Sequence, residues 1–237
     1  MKKVKNNRAY VSCIVAAGGS GTRMHADRNK LLLEINEIPV IAHTLMALQE
    51  SEYIDEIIVS AREEDILYIS DIASVFGISK LKSIIKGGKT RSESVKNAIE
   101  EVCESADLIA VHDGARPLVS NDSIKNVVLD ALEFGASALG VKPKATLKRE
   151  TADGFIKETV DRNEIYEIQT PQVFSKDILI RAYSVNESIL ESATDDCSLV
   201  ESMGVKIKIT NGEYTNIKVT TPEDIAICEA ILQLKER

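Results

Sequence analysis

Short apolar runs and longer stretches of helical spacing take turns along most of this chain. Residues 11–16, 56–60, 81–85, 108–112 and 137–141 are brief and apolar and read as strands. Between them, 39–51, 62–75, 92–105 and 122–134 read as helices, the first with Pro39 near its opening turn. Strands alternating with helices of this length need crossover connections, so the pattern predicts an α/β fold with a mostly parallel sheet and helices on both faces. Ligands in such sheets sit beyond the carboxyl ends of the strands. The segments 18–21, 87–91 and 113–117 all follow strands, and they are expected to converge on one edge.

The rhythm breaks near residue 142. Two β-prone runs, 145–150 and 155–160, flank Thr151-Ala-Asp-Gly154, a hairpin signal. Polar residues alternate through both runs, so neither is expected to be buried on two faces. A bare two-stranded hairpin is marginal in water, and another subunit is a natural surface for it. Helical patterns return at 176–185 and 196–203, with a strand at 205–210. Thr221-Pro-Glu-Asp224 then opens a last helix, with Thr as N-cap, Pro at the first helical position and acids in the first turn. No linker divides the chain, so residues 1–237 are read as one domain with a projecting arm at about 142–162.

Composition narrows the partners. The 237 residues carry a net charge of −8, no Trp and 4% aromatics, which argues against a nucleic-acid surface. An anionic small molecule would need locally clustered Arg and Lys, which dominate at short range because salt screens the overall field. Cys13, Cys103, Cys197 and Cys228 show no metal or redox spacing and are expected to be reduced thiols of a cytoplasmic protein. The basic start precedes too short an apolar run for export, and no stretch approaches the ~20 apolar residues of a membrane span.

The chemistry concentrates at the strand ends. The strand over 11–16 runs into Ala17-Gly-Gly-Ser-Gly-Thr-Arg23, followed by Lys30. Glycines admit a phosphate chain close to backbone N–H groups, and two cations nearby oppose the charge that builds during phosphoryl transfer. The loop lacks the third glycine of a dinucleotide fingerprint and the Gly-Lys-Ser/Thr of a Walker loop. In Val111-His-Asp-Gly-Ala-Arg-Pro117, Asp113 is placed to hold Mg²⁺ and Arg116 to meet a phosphate; alternatively Asp113 caps a turn and pairs with Arg116. His112 is read as a core residue. Gly87-Gly88 through Ser94 either reads a base edge or forms an ordinary helix cap. Arg162, Thr170 and Thr194 suit a small phosphorylated polyol, and Lys218 sits on a short strand before the last helix.

In order, these segments run A-A-G-x-x-x-x-R-M, K, G-G-x-x-R-x-x-S-V, V-H-D-x-A-R-P, T-V-D-R-N, T-P-Q-x-F, T-D and N-I-K-V-T-x-P-E-D. Over nearly the whole chain they resemble the 2-C-methyl-D-erythritol 4-phosphate cytidylyltransferases of the non-mevalonate isoprenoid pathway. The resemblance implies a three-layer nucleotidyltransferase fold and a homodimer that exchanges β-arms. It implies that CTP and the polyol phosphate give the CDP-linked alcohol and pyrophosphate by in-line attack on the α-phosphorus. It assigns the triphosphate and its transition state to Arg23, Lys30 and Lys218, and Mg²⁺ to Asp113. Ala16, Ala17, Gly18, Gly19, Gly88 and Ser94 would line the nucleotide. Arg116, Arg162, Thr170 and Thr194 would meet the polyol phosphate, with Thr146 and Lys148 on the arm reaching a neighbour's site. Asn29, Lys89 and Thr215 depart from the family pattern of Pro, Asp and an acidic residue; the last implies weaker Mg²⁺ binding. Ribitol-5-phosphate cytidylyltransferase and a non-catalytic nucleotide-binding module are the alternatives, with a dinucleotide-dependent oxidoreductase behind them.

Overall fold

A computed structural model describes residues 8–19 and 30–235. Its first half repeats the strand–helix unit. β1 (Val11–Ala17) leads through a two-stranded ribbon, β2 (Glu34–Ile35) and β3 (Ile38–Pro39), to α1 (Val40–Glu50). Then come β4 (Glu56–Ala61), α2 (Ile66–Val75), β5 (Leu81–Lys86), α3 (Arg91–Ile99), β6 (Leu108–Asp113), α4 (Asn121–Phe134) and β7 (Ala136–Val141). The arm is β8 (Lys148–Glu150) and β9 (Ile156–Thr159). After it come β10 (Glu167–Ser175), α5 (Lys176–Tyr183), α6 (Glu187–Ser192), α7 (Asp196–Ser202), β11 (Lys208–Asn211) and α8 (Pro222–Lys235).

Seven strands form one sheet in the order β11-β7-β10-β6-β1-β4-β5. All are mutually parallel except β10, which runs antiparallel between β6 and β7. Side chains alternate across the sheet. Cys13, Val15, Ile57 and Val59 face a core shared with α1, α2, α4 and α8, while Ile14, Ile58, Ile109 and Phe174 face one shared with α3, α5 and α7. These two cores make the three layers. From β1 the chain builds β4 and β5 on one side and later β6 on the other, so the crevice at the ends of β1 and β6 is a topological switch point.

Several elements differ from the sequence pattern. The apolar periodicity over 92–105 promises a longer helix, but α3 ends at Ile99. Beyond it the Cys103 amide donates to buried Glu56 (2.7 Å), and Lys82 and Lys176 draw the carbonyls of Glu101, Cys103 and Glu104 outward. Residues 63–65 form a 3₁₀ turn ahead of α2. The strand expected over 205–210 pairs only from Lys208. β10 is absent from the pattern because Pro171 interrupts it; the pairing with β7 shifts register between Ile168 and Gln172, where a missing N–H is tolerated. The expected hairpin is present, every residue of its two strands exposed, with Phe155 and Ile156 near its tip 70% and 69% exposed.

His112 fastens β10 to β6. It is fully buried; Thr170 Oγ1 lies 3.0 Å from its Nδ1 and the Arg116 carbonyl 3.2 Å from its Nε2. Burial, only partly opposed by Asp113 and by these bonds, pushes its pKa down from 6.5 to about 4. Between those values the unfolded chain binds a proton that the folded ring refuses. This contribution to stability is therefore complete above the unfolded value and is lost as pH falls toward the folded one. Urea denaturation at stepped pH should show this single residue accounting for a loss on the order of 3 kcal/mol. His112→Gln should flatten the slope, and an equally steep slope in that variant would exclude the ring as its source.

Candidate active site

The ends of β1, β5 and β6 and the segment before α8 enclose a cavity of about 300 Å³. Ala16, Gly18 and Gly19 form one wall, and Gly88, Thr90, Arg91 and Ser94 another. Lys30, Asp113 and Lys218 close it. The described residues of the three expected loops thus reach one edge. The second loop is locked by its own side chains. Thr90 caps α3 by accepting the Glu93 amide, and Ser94 Oγ accepts from the Gly88 amide (3.0 Å) while donating to the Thr90 carbonyl (2.8 Å). A Cβ at Gly88 would collide with the Glu93 side chain, so only glycine lets the loop fold this closely.

Among the described residues, four cations line the cavity, Lys30, Lys89, Arg91 and Lys218, against the single carboxylate of Asp113. This local surplus is set within a chain of net charge −8. Asp113, 7% exposed, receives Lys218 Nζ at 2.8 Å, Arg91 Nε at 3.4 Å and Arg116 Nε at 3.6 Å. Burial alone would raise its pKa; these three cations reverse that and hold it well below the usual carboxylate range. Arg91 is also anchored behind by buried Asp196 (2.7 Å), which in turn accepts the Tyr183 hydroxyl at 2.5 Å. Burial works against the Arg91 charge, but Asp196 and Asp113 outweigh it and raise the pKa. Burial lowers Arg116, with Asp113 opposing. Lys30 donates to the carbonyl of Val219 at 3.0 Å, which ties it to the residue beside Lys218.

The turn carrying Asp113 is pinned at successive backbone groups. The Asp113 amide donates to Thr170 Oγ1 (3.0 Å), the Gly114 amide to the Ala16 carbonyl (3.0 Å), and Thr44 to the Gly114 carbonyl (2.9 Å). The Ala115 carbonyl accepts from Val219 N–H at 2.8 Å. At Gly114 a Cβ would stand 3.2 Å from the Ala16 carbonyl and 3.1 Å from Ile41, which explains the glycine there.

Among the residues singled out from sequence, Ala16, Gly18, Gly19, Lys30, Gly88, Ser94, Asp113 and Lys218 line this cavity. Arg23 lies outside the described residues. The Ala17 side chain is buried in the core. Arg116 turns to Asp113 and to the Asn216 carbonyl (2.7 Å), the pairing its sequence neighbourhood left open. Thr170 is 4% exposed, its hydroxyl occupied by the Asp113 amide and His112, so it stands behind Asp113 rather than on the cavity wall. Arg162, Thr146 and Lys148 are exposed at or near the arm; Arg162 donates to the Lys144 carbonyl and Lys148 to Thr159. Thr194 is exposed just before α7. Arg91 and Asp196 escaped notice, although the G-G-x-x-R pattern and the acid pair after Thr194 were in view. A lone Arg and a lone Asp more than a hundred positions apart carry no sign that they meet.

For a divalent cation, Asp113 is, among the described residues, the carboxylate that faces the cavity, and those residues hold no group of three or more His, Cys, Asp or Glu suited to a metal. Glu213 does not stand in for the acid missing at Thr215. Its carboxylate accepts Ser120 (2.5 Å), Ser123 (3.1 Å) and Thr215 (3.2 Å) instead. Burial would raise its pKa, and these hydroxyls bring it down. One ionised carboxylate is still enough for Mg²⁺ when nucleotide phosphates and water complete the shell.

Comparison with known proteins gives a consistent result. The family model of 2-C-methyl-D-erythritol 4-phosphate cytidylyltransferase matches residues 11–234. The chain is 41% identical over 226 residues to the protein of that name from Caldanaerobacter subterraneus subsp. tengcongensis, covering 94% of this chain and 99% of that one. It is 40% identical over 224 residues to the one from Bacillus thuringiensis, covering 94% and 98%. The crystal structure of 4-diphosphocytidyl-2C-methyl-D-erythritol synthase from Anaerococcus prevotii superposes with a TM-score of 0.82 at 32% identity, covering 95% of this chain and 96% of that one. That of the cytidylyltransferase from Thermus thermophilus superposes with a TM-score of 0.75 at 25% identity, covering 94% and 99%. With its switch-point cavity, its ringed carboxylate and likeness along almost its entire length, this chain belongs to the 2-C-methyl-D-erythritol 4-phosphate cytidylyltransferase family.

Proposed function

We propose that the protein joins CTP and 2-C-methyl-D-erythritol 4-phosphate, releasing pyrophosphate. The observation that carries this reading is the gathering of Lys30, Arg91 and Lys218 in a single cavity, the latter two paired with Asp113. Both reactants are phosphates, and their repulsion must be offset before a phosphate oxygen of the polyol can approach the α-phosphorus in line. Lys30 and Lys218 supply fixed charge where the transferring phosphoryl group and the departing pyrophosphate become more negative. The glycine wall at Gly18, Gly19 and Gly88, with Ala16 and Ser94, gives the nucleoside a close-fitting floor. No covalent enzyme intermediate is needed, so positioning and charge do the catalysis. Pyrophosphate release should require CTP together with 2-C-methyl-D-erythritol 4-phosphate, and faster turnover of ribitol 5-phosphate would overturn the assignment. Lys30→Ala should cost roughly 3–4 kcal/mol in the barrier while CTP affinity changes far less. Loss of affinity alone would favour a binding module.

Mg²⁺ belongs to the same reading. Asp113 would hold it, and the metal would neutralise the triphosphate when bound. Because Thr215 brings no second carboxylate, the concentration of Mg²⁺ for half-maximal activity should be high, and Thr215→Asp should lower it. Isothermal titration of Mg²⁺ in the presence of a non-hydrolysable CTP analogue gives a second readout, and equal affinity in both proteins would refute the role of position 215.

The arm supports a homodimer. Its strands are exposed throughout, and Phe155 and Ile156 would otherwise stand in water. In the dimer, Arg162, Thr146 and Lys148 would approach the partner's cavity. Sedimentation should give twice the chain mass for the full protein, and Phe155→Ser with Ile156→Ser should shift it toward monomer; a monomeric parent protein would exclude the arrangement. Four unpaired thiols support a reducing, cytoplasmic location.

A further inference from the structure

Asp113 organises the cavity, and something must in turn organise Asp113. The parallel ladder to β1 reaches it, with Ala16 opposite Asp113, but the antiparallel ladder to β10 on its other side does not. β6 and β10 pair through Gln172 opposite Val111, and by that register Thr170 stands across from Asp113 two steps beyond the last paired residues. Here the Thr170 hydroxyl, instead of a backbone carbonyl, accepts the Asp113 amide at 3.0 Å. The same oxygen lies 3.0 Å from His112 Nδ1, and His112 Nε2 lies 3.2 Å from the Arg116 carbonyl.

The directions of these bonds follow from chemistry. A carbonyl oxygen only accepts, so His112 Nε2 must carry a hydrogen. The fully buried ring is neutral, which leaves a lone pair on Nδ1. Only the Thr170 hydroxyl can then be the donor to Nδ1, and its oxygen is left to accept from Asp113 N–H. The chain therefore runs one way, and each polar atom in it is used.

We propose that His112 and Thr170 are positioning residues for the cytidylyl transfer, acting through a one-way hydrogen-bond chain that fixes both ends of the Asp113–Arg116 turn. The inference rests on the reaction assigned above and gives Thr170 a task other than contact with the polyol phosphate. At one end the chain holds the Asp113 amide, so that its carboxylate keeps Lys218 at 2.8 Å and Arg91 at 3.4 Å. At the other it holds the Arg116 carbonyl, so that the guanidinium keeps its bond to the Asn216 carbonyl, two residues before Lys218. A displaced Asp113 moves three cations together. Charge placement matters most at the transition state, so the effect falls on kcat.

Two measurements test the chain. Thr170→Val keeps the shape and removes the hydroxyl; Thr170→Ser restores it. The first should lower kcat by roughly ten- to a hundredfold, the second by less than about threefold, with KM for the polyol phosphate nearly unchanged in both. Equal kcat in the two variants, or a rise in the polyol-phosphate KM with kcat intact, overturns the proposal, the latter by showing direct substrate contact. Nitrogen-15 NMR of the unmodified protein should find His112 neutral at pH 7, protonated on Nε2, with Nδ1 hydrogen-bonded. The Nδ1–H tautomer or a charged ring there overturns it whether or not the variants fold. Because the tautomer is read without turnover, an inactive parent protein refutes the assigned reaction, and a wrong tautomer refutes this chain.

Discussion

One buried carboxylate holds the site in shape. Three cations approach Asp113, and each would repel the others without it. Their attraction outweighs the cost of burying the charge, so Asp113 stays ionised and the cations stay in place. In an acidic protein this is how a polyanion can be attracted at close range although the molecule as a whole repels it. A cluster of cations alone would lose members to solvent or shed protons; a cluster around a carboxylate keeps its charge and its geometry.

The fold supplies that geometry by topology more than by local sequence. Asp113 ends a fully buried central strand, beside the strand from which the chain departs in two directions. The crevice between β1 and β6 is opened by that divergence, and the loops after β1 and β5 lead into it. β10 adds the structural backing. Running against its neighbours, it brings Thr170 behind Asp113 and Gln172 to Asp195, which caps α7. The next residue, Asp196, fixes Arg91. A strand that contributes nothing to the cavity wall thus steadies two of the groups that do.

Much of the frame is visible in the order of residues. The alternation of β1, α1, β4, α2, β5, β6 and α4 follows hydrophobic spacing within a few positions, because β1, β4 and β6 are buried on both faces and the helices on one. Gly18, Gly19, Gly88, Asp113, Lys30 and Lys218 were found because they fall in an ordered set of motifs that resembles one family, although each motif by itself also fits a turn, a cap or a surface charge. β10 was not, because Pro171 contradicts a central strand and only a shift in pairing accommodates it. The overlong reading of α3 failed for a similar reason: Glu56, Lys82 and Lys176, all remote in sequence, take the backbone groups of 101–104.

Sequence by itself determined the layered α/β frame, the edge on which ligands bind and most of the charged residues found there, since period and local chemistry act over a few neighbouring positions. Only the tertiary structure decided what those charges do to one another. Arg91 meets Asp196 across 105 positions, Lys30 reaches the Val219 carbonyl across 189, and Thr170 turns inward to serve Asp113. Pairings of that reach depend on packing two halves of a sheet together, and no spacing along the chain encodes them.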